Sequence, residues 1–233
     1  MEMTIDKQKY FNDNDYIIIK DLINEDTQKL MYEYCKTQAR VSSWKHENKN
    51  LSGYDEDWDG QWHENNAAFI NKNTYRKYGD MLTDSLMFLC HGFVEEITNL
   101  KLYPTYSFWR LYEKNDNMRS HKDRAGCEIS VTLNLGCDYS NIKDNDDYCW
   151  PIFLRGKNNP DGLPIALKPG SALIYKGIEN DHWRDNLQGL NQAQVFLHYS
   201  TDEREFLDGR PMSGVPKLHL KYGKRIPLTD NQE

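Results

Sequence analysis

The chain has 233 residues, of which 38% are hydrophobic, 28% charged and 12% aromatic, with a formal net charge of −7. Such a length can bury one core without staples, and no apolar run approaches the roughly 18 residues that a membrane helix needs. The acidic balance speaks against a nucleic-acid partner, because phosphate affinity comes from clustered Lys and Arg that release counterions, and the nearest basic stretch, 217–225 (KLHLKYGKR), reads as solvated C-terminal chain.

In chain order, 16–20 (YIIIK) reads as a strand, followed by Leu22, Ile23 and a helix over 25–39 whose Leu30, Met31, Tyr34 and Cys35 share one face. Residues 42–67 place Trp44, Trp58 and Trp62 among Asp, Asn and Gly, the composition of a long ordered loop that is either a lid or a segment pinned to the core by its tryptophans. A second helix is expected over 80–99, with Leu82, Leu86, Leu89, Phe93 and Ile97 at helical spacing. Strands follow at 103–112 (YPTYSFWRLY) and 127–135, where Glu128, Ser130, Thr132 and Asn134 alternate with Ile129, Val131, Leu133 and Leu135 in the manner of a half-buried strand. After an acidic, Asn-rich loop at 138–148, runs at 150–155 and 163–168 bracket the turn formers GKNNPDG as a hairpin. A turn at Lys168-Pro169-Gly170, a strand at 172–175, a short strand carrying His182 and a last one at 194–199 complete about seven strands, the pattern of a sandwich or jelly roll. The fold class is mainly β with flanking helices. The domain reading is one unit: 1–100 an N-terminal strand, supporting helices and Trp-rich loop, 101–200 the β core, and 201–233 a C-terminal extension.

Within the β region stands His121-Lys122-Asp123, with His182 further along. Two imidazoles and one carboxylate on one side of an Fe(II) ion leave the opposite side open for a bidentate co-substrate and oxygen. The tripeptide alone is weak evidence, since a hydrogen-bonded core His and a turn-capping Asp are the commoner uses of these residues. Its strand-rich flanks give it weight. His46, His63, His91 and His219 have no companion ligands at a recognisable spacing, and His198 reads as core or cavity lining.

These elements resemble the iron(II) and 2-oxoglutarate-dependent oxygenases, in particular the branch of the prolyl 4-hydroxylases. The resemblance spans 103–200 and rests on Tyr112, His121-Lys122-Asp123, the strand to Leu135, Lys168-Pro169-Gly170, His182 and the closing strand, while 16–23 and the helix after it are similar to the opening of that branch. It implies a double-stranded β-helix (jelly roll) core with His121, Asp123 and His182 as ligands of Fe(II). It also implies 2-oxoglutarate as co-substrate, O2 as oxidant, and hydroxylation of an organic substrate such as a peptide or amino-acid side chain.

The family usually carries a basic residue about ten positions after the second His, to pair with the distal carboxylate of 2-oxoglutarate; this chain has Asn191, Gln192 and Gln194 there. A buried carboxylate needs a charged partner or several donors. Residues two apart on a strand share a face, so Arg184 should point with His182 into the pocket, and Arg110 with Tyr112. Arg184 is the first candidate and Arg110 the second; Lys176 and Arg124 lie further off, and Gln192 and Gln194 can donate hydrogen bonds beside such a cation. The resemblance gives Tyr112 a hydrogen bond to 2-oxoglutarate. For Arg184 the competing reading is a rim salt bridge to Asp185 or Glu179.

Three rival classes stay open. A cupin-like metalloenzyme not using 2-oxoglutarate would explain the missing basic residue, and a non-enzymatic β-barrel binding module would explain the aromatic loop. A zinc hydrolase would need a base such as Glu128 or Glu179. The five cysteines (35, 90, 127, 137, 149) lack a CxxC pair, which argues against a disulfide framework or zinc knuckle, and the polar N-terminus MEMTIDKQKY has no apolar signal core. Both point to a cytoplasmic protein.

Overall fold

The computed structural model describes residues 6–55, 59–60, 74–143 and 148–202. In chain order it contains α1 (Lys7–Asn14), β1 (Tyr16–Ile19), α2 (Glu25–Glu47), α3 (Lys49–Ser52), β2 (Tyr75–Tyr78), α4 (Met81–Thr98), β3 (Tyr103–Glu113) and β4 (Met118–His121). A 3-10 turn at Ala125–Cys127 leads to β5 (Ile129–Asp138), β6 (Ile152–Gly156), β7 (Asn159–Ile165), β8 (Ala172–Lys176), β9 (Asp181–Arg184) and β10 (Asn191–Ser200). A six-stranded sheet has the order β1-β8-β5-β10-β3-β2, and a four-stranded sheet the order β4-β9-β6-β7. From β3 onward the chain passes back and forth between the two sheets, which is the winding of a double-stranded β-helix.

Each sheet face has its own partner. Ile129, Val131, Leu133 and Leu135 of β5, with Val195 and Leu197 of β10, form one core with Met31 and Cys35 of α2 and Met87 and Val94 of α4. The opposite face of the large sheet meets the small sheet, where Leu173 and Tyr175 pack with Met118, Ile152, Leu154 and Ile165. The polar alternation of β5 therefore does not face water: Ser130, Thr132 and Asn134 are all buried, as are Gln192, Gln194 and His198 of β10. They line the barrel interior.

The helices start where their caps dictate. Asn24 accepts a hydrogen bond from Thr27 N at the head of α2, and Asp80 accepts one from Leu82 N at the head of α4. Gln28, Met31, Cys35, Ala39 and Ser42 form the buried stripe of α2, so Leu30 is solvent-facing, and Leu89 of α4 is exposed in the same way. Helix α2 also runs through 42–47, because no breaker interrupts its stripe before Asn48; the expected loop thus begins as helix with Trp44 exposed, while Trp58 and Trp62 lie outside the described residues. His63, His219 and the basic 217–225 stretch lie outside them too. The hairpin tip is shorter than expected, since Gly156 pairs with Asn159 and β7 takes in Asn159, Pro160, Asp161 and Gly162. An edge position lets Pro160 sit in a strand without an unpaired ladder partner. No helix among the described residues is long and apolar enough to cross a membrane.

Candidate active site

Strand β4 ends at His121, directly opposite His182 of β9, with an irregularity in the pairing between Met118 and His121. The two rings lie 4.3 Å apart between centroids. Asp123 follows, its N–H donating to Gly177 O at 2.9 Å. Its Oδ1 sits 3.8 Å from His121 Nε2 and 3.6 Å from His182 Nε2. One ion with ligand bonds of about 2.0–2.2 Å can span such gaps, and the three residues form a group able to hold a metal.

The tautomers suit that task. His121 Nδ1 lies 2.9 Å from Arg119 O and His182 Nδ1 3.1 Å from Asn180 O. A carbonyl only accepts, so each Nδ1 carries the proton and each Nε2 presents a lone pair. Burial pushes the His182 imidazole below its ordinary range, which keeps it neutral, and the Tyr175 hydroxyl approaches its Nε2 at 3.3 Å.

Arg184, two residues from His182 on β9, is among the largest fully buried side chains. Its Nη1 donates to Trp150 O at 3.0 Å and its guanidinium lies 4.6 Å from the Trp150 ring centre. Neither Nε nor Nη2 finds a hydrogen-bond partner among the described residues, and the side chain makes no ion pair with Asp185 or Glu179 there. Burial lowers its pKa from the ordinary guanidinium value. Beside it, Tyr139 donates its hydroxyl proton to Gln192 Oε1. Trp150 N–H donates to the same phenol oxygen at 3.4 Å. Thr132 Oγ1 donates to Gln194 Oε1 at 3.3 Å. Both glutamine Nε2 groups are left without a partner among the described residues. The barrel thus buries four donor groups of Arg184, Gln192 and Gln194 with no acceptor, and each such group costs about 1–3 kcal/mol, more when charged. A carboxylate would match the guanidinium fork of Arg184.

The remaining candidates fall elsewhere. Tyr112 is buried, edge-on to Trp150 at 4.9 Å. Arg110 lies between the Phe108 and Tyr112 rings and acts electrostatically on Asp116, so it has a counter-charge of its own. Lys176 pairs with Asp15 and Glu179 on the outside of the barrel, and Arg124 donates to Tyr106 OH at 2.7 Å. Glu128 accepts bonds from Ser200 and Thr201, which commits the carboxylate a zinc hydrolase would need. Sequence reasoning left Ser130, Tyr139 and Gly177 unassigned although all three border the site. The buried polar alternation of β5 was the available signal for Ser130; nothing local marks Gly177.

In the metal-free protein the two buried imidazoles set an acid limit. Burial holds His198 down to about 4, so the unfolded chain takes up protons between about pH 6.5 and 4 that the folded state refuses. Stability is therefore present above pH 6.5 and lost as pH falls, by about 3 kcal/mol from His198 alone at pH 4. Urea midpoints measured from pH 7 to 4 are expected to fall accordingly, with a shallower slope for His198→Asn; equal slopes would contradict the assignment.

No protein-family profile matches the sequence, and no curated protein sequence does. Solved structures do match by fold. The carbocyclase SnoK of nogalamycin biosynthesis, a non-heme α-ketoglutarate-dependent enzyme, superposes with a TM-score of 0.60 at 10% identity, over 95% of this chain and 91% of that one. A prolyl 4-hydroxylase from Pseudomonas putida gives 0.59 at 11% identity, over 82% and 95%. HygX from Streptomyces hygroscopicus, with nickel, 2-oxoglutarate and hygromycin B bound, gives 0.52 at 10% identity, over 84% and 87%. The chain has the jelly-roll fold of the 2-oxoglutarate and iron(II) oxygenases, the prolyl 4-hydroxylase structures included.

Proposed function

We propose that the chain is an iron(II)- and 2-oxoglutarate-dependent dioxygenase that hydroxylates an organic substrate such as a peptide or amino-acid side chain. The observation that carries this reading is the set of buried donors on Arg184, Gln192 and Gln194 that find no partner among the described residues, Arg184 lying two residues along β9 from His182 of a His-Asp-His group. His182 and Arg184 share a face at a two-residue spacing of roughly 6.4–6.8 Å along the strand. That distance suits a C5 dicarboxylate with one end at a metal and the other in the guanidinium fork. The fold likeness supports the reaction class, and the nickel and 2-oxoglutarate bound to HygX support the pairing of metal with co-substrate.

In this reading His121, Asp123 and His182 hold the metal, their Nε2 and Oδ1 atoms facing one point. Arg184 binds the distal carboxylate bidentately through Nε and Nη2, with Gln192 and Gln194 donating to its outer lone pairs. Tyr112 and Trp150 wall the pocket and keep water from the charged end, which strengthens each of those bonds. Iron(II) and 2-oxoglutarate, when bound, supply oxidative decarboxylation with O2, releasing succinate and carbon dioxide and inserting oxygen into a substrate C–H bond. The protein's share is orientation and exclusion of water.

The test is anaerobic addition of Fe(II) and then 2-oxoglutarate to metal-free protein. A visible metal-to-ligand charge-transfer band is expected for wild type, and its loss for Asp123→Ala. Tight iron binding without a band would instead favour a cupin-like metalloenzyme, and no iron binding would favour a binding module.

A further inference from the structure

Behind Asp123 lies a hydrogen-bonded chain that neither metal ligation nor the anion pocket uses. Ser130 Oγ is 2.7 Å from Asp123 Oδ2, 3.0 Å from His198 Nδ1 and 3.3 Å from Cys127 O. A hydroxyl has one proton to give, and the carboxylate is the nearest and the only charged acceptor among the three. Ser130 therefore donates to Oδ2, and its oxygen must accept from His198, so His198 carries its proton on Nδ1. Ser130 and His198 stand opposite each other on β5 and β10, with the Tyr106 ring 4.7 Å from the imidazole and Thr105 Oγ1 donating to His198 O at 3.1 Å. The buried imidazole is thus fixed in place by its backbone and by its flank. Charged and titratable groups acting on it are Asp123, Arg124 and His182, and burial outweighs them to keep it neutral.

We propose that Ser130 and His198 form a relay that fixes the Asp123 carboxylate as a one-oxygen ligand, which makes His198 a positioning residue for the metal site. The relay holds Oδ2 on the side of β5 and leaves Oδ1 facing His121 and His182. Without it the carboxylate is free to rotate and to offer both oxygens to the ion, and a second carboxylate oxygen takes a position that co-substrate or O2 requires. The inference rests on the metal-binding reading of the three residues. It adds a prediction that reading lacks: the buried His198 controls coordination number without touching the ion.

Two measurements test it. In metal-free protein labelled with 15N-histidine, two-bond imidazole spectra are expected to show His198 as the neutral Nδ1–H tautomer; an Nε2–H tautomer overturns the relay. In Co(II)-loaded protein, Ser130→Ala and His198→Phe are expected to shift the visible d–d bands and to weaken the response of those bands to 2-oxoglutarate at least 10-fold. His198→Asn, whose Nδ2 stands near the place of the imidazole Nδ1, is expected to restore the wild-type spectrum. Should His198→Phe fail to fold, Ser130→Ala and the tautomer measurement decide the matter. Unchanged cobalt spectra and 2-oxoglutarate response in Ser130→Ala overturn the relay and leave the metal site standing. A wild-type protein that takes up no cobalt overturns the metal reading and the relay with it.

Discussion

Arg184→Met is expected to make the metal-free protein more stable and to weaken its binding of 2-oxoglutarate. Arg184 is fully buried, gives one hydrogen bond to Trp150 O, and keeps Nε and Nη2 without a partner among the described residues. A charge held in that state costs folding free energy, and replacing buried ionic groups by apolar ones of similar volume often stabilises by about 1–4 kcal/mol. Losing the bond to Trp150 O offsets about 1 kcal/mol of this. The net gain of up to about 3 kcal/mol corresponds to a rise of up to about 10 °C in Tm at about 2–4 °C per kcal/mol. Ligand binding moves the other way. Removing one partner of a buried, hydrogen-bonded charge pair costs about 2–5 kcal/mol, so 2-oxoglutarate affinity should drop roughly 30-fold to several-thousand-fold. Melting curves with and without 2-oxoglutarate, in the presence of a redox-inert divalent metal, read both effects. Arg184→Lys separates them further, because it keeps the charge and loses the fork. A Met variant that still binds 2-oxoglutarate within threefold of wild type would defeat the assignment, as would a metal-free protein that melts several degrees lower.

The same residue shows how far the sequence carried. Arg184 follows from period-two geometry applied to His182, because the strand is regular there and both side chains point inward. The HxD tripeptide and the second His were likewise visible, and the fold brings them together as a group that could hold a metal. Elements decided by tertiary context were not. Strand β4 reads MRSH and carries no apolar signal; it exists because β9 offers it a ladder. Strand β2 (YRKY) owes its existence in the same way to β3. Leu30 and Leu89 satisfied a helical period but lie on the wrong side of the stripe that α2 and α4 bury, and periodicity over one helix cannot choose between adjacent faces. The polar face of β5 was legible as alternation, yet alternation does not say whether the polar side meets solvent or a functional cavity. Only closure of the second sheet over Ser130, Thr132 and Asn134 decides that.

Gly177 is a position where one methyl group should undo the candidate metal site. A Cβ there would collide with Cys127 O and lie 2.5 Å from Asp123 Oδ2 and 2.7 Å from Ser130 Oγ. All three are well inside contact distance, and the nearest is backbone. The residue cannot retreat easily, because its own N–H donates to Glu128 O at 2.9 Å and its carbonyl accepts from Asp123 N at 2.9 Å. The clash therefore falls on the Asp123 carboxylate, the group that must face His121 and His182. Overpacking of this kind costs about 1–3 kcal/mol of stability. Loss of groups that orient a ligand typically lowers metal affinity about 10- to 100-fold, and Gly177→Ala, which pushes on the ligand and its Ser130 donor together, should reach the upper end. Calorimetric titration of Gly177→Ala with Co(II) measures it. Gly92 supplies the control: it lies inside α4 with nothing within 4 Å of an added Cβ. Gly92→Ala should gain about 0.5–1 kcal/mol of stability and leave cobalt affinity untouched. Equal cobalt affinities in the two variants would mean that the approach of Gly177 to Asp123 does not govern the carboxylate.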